Sequence, residues 1–154
     1  MKNFKQNVIQ KEKKELGFVS PPITEYMTKE LITFKPDTAI IEVIETLLKN
    51  RITGAPVLND SGEVVGLIDD KDCLHVLMSS AYNNHPVDRD TVSDYMSNVM
   101  KSISHDADIL DAATVFTSTP FKRLIVLDDK GKLVGQISRR DVLRAIKKIN
   151  STTW

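Results

Sequence analysis

One short stretch carries residues that could do chemistry on a bound ligand. In Gly135-Gln136-Ile137-Ser138-Arg139-Arg140-Asp141 a hydroxyl stands three residues before a carboxylate, at a predicted helix start. The unpaired N–H groups and dipole of such a start favour an anion near Ser138. The Asp141 carboxylate can accept two hydrogen bonds from a diol. Upstream, Lys122 and Arg123 supply the positive charge that a phosphate needs, the guanidinium in bidentate fashion. Gly54 leaves room for a flat group to approach backbone. Each of these has a plainer reading. Ser138-x-x-Asp141 is also a capping box, and Lys122 and Arg123 could be surface cations after a helix. The readings are compatible, since a cap can also bind a ligand.

Other chemistry is poorly represented. His75, His85 and His105 share no ligand spacing, so no metal site is expected. They read as helical or loop histidines without catalytic duty. Cys73 sits in an apolar helical context and reads as core rather than nucleophile. The chain has no Walker loop, no Rossmann glycine set and no Ser-His-Asp motif, and no catalytic residue is assigned. Met27 and Met96 read as packing residues.

The elements that must position Ser138 and Asp141 occur twice. The stretch Pro56–Asp72 returns as Ile125–Asp141, 69 residues on and without a gap. Extending the register to Tyr26–Leu74 against Tyr95–Leu143 gives thirteen identities in forty-nine pairs, enough to rank the repeat above any single motif. In each copy an apolar run reads as a buried strand. An Asx-rich turn with Gly62 or Gly131 supplies positive φ. A second apolar run returns, and a helix starts at Asp69/Asp70 or at Ser138. Upstream, Leu31–Phe34 and Ser102–Ser104 are strand candidates. Helices are predicted after an Asp37 or Thr38 cap and after an Asp106 cap.

Ile40, Val43, Ile44, Leu47 and Leu48 should form one buried stripe, and Ile109, Ala112, Ala113 and Phe116 its counterpart. Pro120 stops the latter helix. The third helix is expected to reach about Met78, burying Leu74 and Leu77. The last should run from about Arg139 to Lys148 with Val142, Leu143 and Ile146 inward. The result is an α/β (α+β) fold of two β-α-β-β-α repeats packed sheet to sheet with pseudo-twofold symmetry. The expected divisions are an N-terminal arm at 1–22, a first repeat at 23–78, a connector at 79–91, a second repeat at 92–148 and a tail at 149–154. Within the arm, Phe4, Val8 and Leu16 are the apolar anchors of either a solvated helix or a partner contact. The cleft between the repeats is the natural binding site.

Bulk properties narrow the classes. The 154 residues suit one domain or two small halves sharing a core, and 41% hydrophobic content is ordinary for a soluble fold. With 21 basic and 21 acidic side chains, formal net charge is zero, which gives no bulk drive toward nucleic acid or an anionic membrane. A single cysteine rules out an internal disulfide, and no stretch is long and apolar enough for a leader or span. The expected location is cytoplasmic.

The doubled phrase resembles a tandem pair of cystathionine-β-synthase-type (CBS) domains, a Bateman module. The resemblance rests on Tyr-Met near each start, on Arg51-Ile52-Thr53-Gly54-Ala55-Pro56-Val57 and Arg123-Leu124-Ile125-Val126, and on the Gly-x-x-[Thr/Ser]-x-x-Asp ending. That ending is complete at Gly135–Asp141 and altered at Gly66–Asp72. It implies an adenine nucleotide as regulatory ligand, no required cofactor, a C2 homodimer and a protein effector. The implied site combines Ile32, Thr53, Gly54, Ala55 and Pro56 with Lys122, Arg123, Ser138, Arg140 and Asp141, the aspartate holding ribose hydroxyls. A second cleft would use Asp69, Asp72, Lys101 and Ser102. Carboxylates there oppose a phosphate unless a cation bridges them, so that cleft is expected to be weaker, empty or suited to a nucleoside. The rival reading is a ligand-free dimerisation or adaptor module.

Overall fold

The structure, a computed structural model, describes residues 19–153. The arm residues Phe4, Val8 and Leu16 lie outside that range. Among the described residues four α-helices, α1 (Ile40–Asn50), α2 (Asp70–Asn83), α3 (Ile109–Ser118) and α4 (Arg139–Thr153), alternate with two small sheets. The first sheet is the hairpin β1 (Gly54–Leu58) with β2 (Val64–Asp69). In the second, β3 (Ser102–Ser104) runs parallel to β4 (Arg123–Leu127), which pairs antiparallel with β5 (Leu133–Ser138). The hairpins share one register and one bulge, and Gly62 and Gly131 take φ of 82° and 79° at their turns. The fold is mixed α/β and holds two copies of one unit.

The first copy lacks a full third strand. Leu31–Phe34 makes only a parallel bridge at Phe34↔Val57. Ile125 in β4 donates its N–H to Lys101 O at 3.0 Å, and the residue at that place in β1 is Pro56. Proline has no N–H to donate, so the ladder loses a rung.

The two copies exchange their leading segments. Residues 21–28 pack on the second repeat and residues 90–97 on the first. Ile23, fully buried, joins the core of Phe116, Leu124 and Ile137, with Tyr26 and Met27 packed against it. Val92, fully buried, joins the core of Val43, Val57 and Ile68, with Tyr95 and Met96 beside it. Backbone bonds follow the same reciprocity. Thr28 and Gln136 exchange N–H···O bonds of 2.9 and 3.0 Å, and Ser97 and Leu67 do so at 2.8 and 2.9 Å. Asp90 lies at the crossing. Hydrogen bonds from the Tyr95 hydroxyl, then from His85, hold its carboxylate below the usual range.

This exchange also changes the helix starts. α1 begins at Ile40 after Ala39, not at an Asp37 or Thr38 cap, and Ala39 makes no side-chain cap. Its first N–H is taken instead by Asp90 O at 2.9 Å, as Ile109 N is taken by Pro21 O in α3. The α3 cap is Asp108, in a reciprocal box with Asp111, rather than Asp106.

Burial departs from the expected stripes at several leucines. Ile40, Val43 and Leu47 are buried, but Leu48 is exposed. On α2, Val76 faces the core while Leu74 (63% exposed) and Leu77 face outward. On α4, Val142 and Ala145 are buried while Leu143 (64% exposed) and Ile146 are not. The outward positions are repeat equivalents, so each helix carries two apolar faces and the sheets cover one. Both helices also outrun their expected ends, at Asn83 and Thr153.

Two glycines make the exchange possible. A Cβ on Gly66 would sit 2.7 Å from Met96 Sδ and 2.9 Å from Ser97 O, and one on Gly135 would sit 2.7 Å from Met27 Sδ and 2.9 Å from Thr28 O. The thioether could move, but the backbone oxygen cannot without breaking the crossing bonds. Gly135→Ala is therefore expected to cost about 1–3 kcal/mol, read as a lower denaturation midpoint in urea. Ala substitution at exposed Ser118 is the control that should leave it unmoved.

Candidate ligand cleft

Each hairpin delivers its last strand residue to a helix start, and there the repeats diverge. In the first, Asp72 N donates to Asp69 Oδ1 at 2.8 Å and Asp69 N to Asp72 Oδ2 at 3.1 Å. This box engages one oxygen of each carboxylate and leaves the other outside it. In the second, Asp141 Oδ2 accepts from Ser138 N at 2.8 Å and Ser138 Oγ at 3.1 Å. Its Oδ1 is gripped by Arg144, which also donates to Tyr26 O at 3.3 Å. Asp141 is only 4% exposed and both its oxygens are engaged. The residue in Arg144's place in the first repeat is His75.

Between the repeats lies a cavity of about 520 Å³, within the usual range for small-ligand sites. Lys122 and Arg123 line it from the second repeat, and Thr53, Asp69, Asp70 and Asp72 from the first. Leu67, Val99 and Phe121 add apolar wall. Arg123 starts β4 paired with Ser138, but its side chain crosses to the first repeat and Nη2 donates to Thr53 Oγ1 at 2.9 Å. Gly54 makes the crossing possible, since a Cβ there would collide with the guanidinium.

The first helix turn is electrostatically loaded. Burial pushes the Asp72 carboxyl above its usual range, with the Asp69 charge adding to the effect and the Asp69 backbone N–H opposing it. The Cys73 thiol is pushed up to about 11, first by burial and then by the carboxylates of Asp72, Asp69 and Asp70.

The structure regroups the candidate residues. Thr53, Lys122 and Arg123 meet Asp69 and Asp72 rather than Ser138, Arg140 and Asp141, none of which lines this cavity. Ala55 and Pro56 are buried in β1, Ile32 packs against the first core, and Arg140 is exposed on the first turn of α4. Lys101 and Ser102 are exposed at the start of β3. Sequence reasoning missed Leu67, Ser97, Val99 and Phe121. Ser97 and Val99 follow the exchanged segment, which no local pattern places against the other repeat. Chemically, the cavity offers cations on one lip, a carboxylate oxygen outside the capping box on the other, and an apolar wall between them.

The chain has relatives among known proteins. The family model described as CBS domain matches residues 23–79 and 92–148. The chain is 30% identical over 145 residues to the uncharacterized protein MJ1225 of Methanocaldococcus jannaschii, covering 92% of this chain and 49% of that protein. It is 31% identical over 152 residues to the chloroplastic CBS domain-containing protein CBSX1 of Arabidopsis thaliana, covering 82% and 64%. It thus spans about half of the first and less than two thirds of the second. Arabidopsis thaliana CBSX2, solved in complex with AMP, superposes with a TM-score of 0.71 at 29% identity, covering 84% of this chain and 98% of that one. The CBS domain pair of MJ0100, solved with 5-methylthioadenosine and S-adenosyl-L-methionine, superposes at 0.72 and covers 85% and 99%. At 21% identity the latter shows the fold alone. No helix among the described residues is long and apolar enough to cross a membrane.

The raised thiol has a direct consequence. At pH 8 a group titrating near 11 is about 0.1% thiolate. Alkylation of Cys73 by iodoacetamide should therefore run far slower than that of free cysteine, and should accelerate in Asp72→Asn, which removes the nearest opposing charge. Equal rates for wild type and free cysteine would contradict the assigned environment.

Proposed function

We propose that this chain, which belongs to the CBS domain family and carries the domain twice, is a regulatory module that binds an adenine nucleotide in the cleft between its repeats and passes the occupancy to a protein effector. The observation that carries the reading is the cavity to which both repeats contribute, with Lys122 and Arg123 facing Asp69 and Asp72. Phosphate would lie at Lys122 and Arg123, where the guanidinium keeps donors beyond the one engaged by Thr53. The ribose hydroxyls would bond the Asp72 oxygen outside the capping box, and the base would lie against Leu67, Val99 and Phe121. The CBSX2 complex with AMP supports an adenosine ligand at 29% identity.

This ranking reverses the expectation from the motif alone, which favoured Asp141. Both Asp141 oxygens already accept, Oδ2 from Ser138 and Oδ1 from Arg144, and the residue is 4% exposed, so a diol would have to share a buried carboxylate with an ion pair. The bridging cation that a phosphate needs beside Asp69 is supplied by the other repeat. A ligand touching both repeats stabilises one arrangement of them, which is a population shift. No step of this role requires catalysis, and the module acts as a binder rather than an enzyme.

A second copy of the chain is the proposed cover for the outward apolar faces of α2 and α4. Leu74 and Leu77 on one helix and Leu143 and Ile146 on the other are repeat equivalents, so they present the self-complementary surface that a C2 dimer uses. Leu77→Glu with Ile146→Glu should shift the chain to monomer in light scattering. An unchanged mass would place any dimer elsewhere.

Titration calorimetry with AMP, ADP and ATP tests the ligand. Asp72→Asn and Arg123→Ala should each weaken the tightest nucleotide by at least about tenfold. Asp141→Asn should lower the melting temperature while leaving affinity within about twofold. Binding lost only with Asp141 would return the site to the motif-based cleft. No heat with any of the three nucleotides would favour the adaptor reading.

A further inference from the structure

We propose that His105, Asp106 and Asp129 form a divalent-metal site on the second repeat, of the kind that imidazole and carboxylate ligands make for zinc-like ions. It would tie the turn after β3 to the β4–β5 hairpin. None of the three lines the ligand cleft, so the proposal is independent of the nucleotide reading.

The donor spacing suits one ion. Ligand atoms of the three residues lie within 4.8 Å of one another. His105 Nε2 is 3.3 Å from Asp129 Oδ1 and 3.6 Å from Asp106 Oδ1. Donors held at about 2.0–2.2 Å around a tetrahedral or octahedral ion are about 2.8–3.6 Å apart. The imidazole with two carboxylates is a donor set for a borderline first-row cation rather than for calcium or magnesium. Water would complete the shell, since both carboxylates are exposed.

The backbone holds the donors in place before any ion arrives. His105 N donates to Leu127 O at 3.0 Å, and Asp106 N to Ser104 Oγ at 3.2 Å. Asp129 rides a turn in which the Asp128 side chain accepts from Lys130 N and Lys132 N, each at 2.9 Å. Asp128 adds negative charge beside the site, and the lysine side chains of that turn moderate it.

The first repeat shows what this place does. There Lys35 Nζ lies 3.6 Å from Asp60 Oδ1 and donates to Asn59 O at 3.1 Å, tying the equivalent turn to the equivalent hairpin. Lysine carries a fixed positive charge. The second repeat has Ser104 at that position and places His105, Asp106 and Asp129 around the same junction, where a divalent ion would take the place of the lysine charge. The two carboxylates supply negative charge that a divalent ion would balance, and the imidazole would supply its nitrogen donor.

Calorimetric titration of the full chain with zinc chloride in a non-chelating buffer at neutral pH tests this, together with proton NMR of the three imidazoles. The expected result is a one-to-one saturable isotherm and a shift or broadening confined to one imidazole, identified as His105 by its absence in His105→Ala. His105→Ala and Asp129→Asn should each weaken zinc by at least about tenfold, with His75→Ala unchanged. Both ligand substitutions are at the surface, and unchanged far-UV circular dichroism would show that folding is intact. No heat up to about 1 mM zinc, a shift at His75 or His85 instead, or undiminished binding in His105→Ala would overturn the site.

Discussion

The structure depends on a reciprocal crossing. Met27 and Thr28 lie on Gly135 and Gln136 of the other repeat, and Met96 and Ser97 lie on Gly66 and Leu67. Neither core is complete without the borrowed segment, since Ile23 fills one and Val92 the other. A buried backbone polar group must find a partner, and here the partners for the first N–H groups of α1 and α3 come through the same exchange. A unit of about fifty residues buries little on its own, and two such units that close each other's cores behave as one body. The cleft follows from this geometry, because the segment that crosses β2 continues through Ser97 and Val99 to form one of its walls.

Within that near-symmetric frame, a few substitutions make the two sides chemically unlike. Thr53 and Gly54 correspond in the repeat to Lys122 and Arg123, and Asp69 to Ser138. The bare Cα of Gly54 lets Arg123 lie across the symmetry axis, which brings positive charge to the side that holds Asp69 and Asp72. Arg144 secures Asp141 where the first repeat has His75, and so the second carboxylate acts as a cap and ion-pair partner. Pro56 removes one rung from the first sheet, where the neighbouring segment keeps only the Phe34↔Val57 bridge. The duplicated architecture is thus retained while the cations of one repeat and the carboxylates of the other gather on one side.

Much of this was legible in the residues. Hairpin turns at Gly62 and Gly131, helix starts after Asp69 and Ser138, and both capping boxes are interactions within a few positions of each other, where spacing is nearly geometry. The loss of the strand expected at Leu31–Phe34 was not read from Pro56, although the missing N–H accounts for it. Nor were the outward faces of α2 and α4 legible. Leu74 and Leu143 stand at helical spacing beside residues that are buried, and periodicity identifies an apolar face without saying whether anything packs on it.

By itself the sequence determined that the chain holds one unit twice, in which order its elements run, and which side chains sit at the helix start after each hairpin. Local hydrogen bonding and the 69-residue register decide those, and both can be counted. Tertiary structure alone decided which repeat each leading segment joins, that Arg123 crosses to Thr53 of the other repeat, and that His105 meets Asp129 across 24 residues of chain. Those outcomes depend on where side chains from distant positions converge, and the linear pattern carries no information about direction in space.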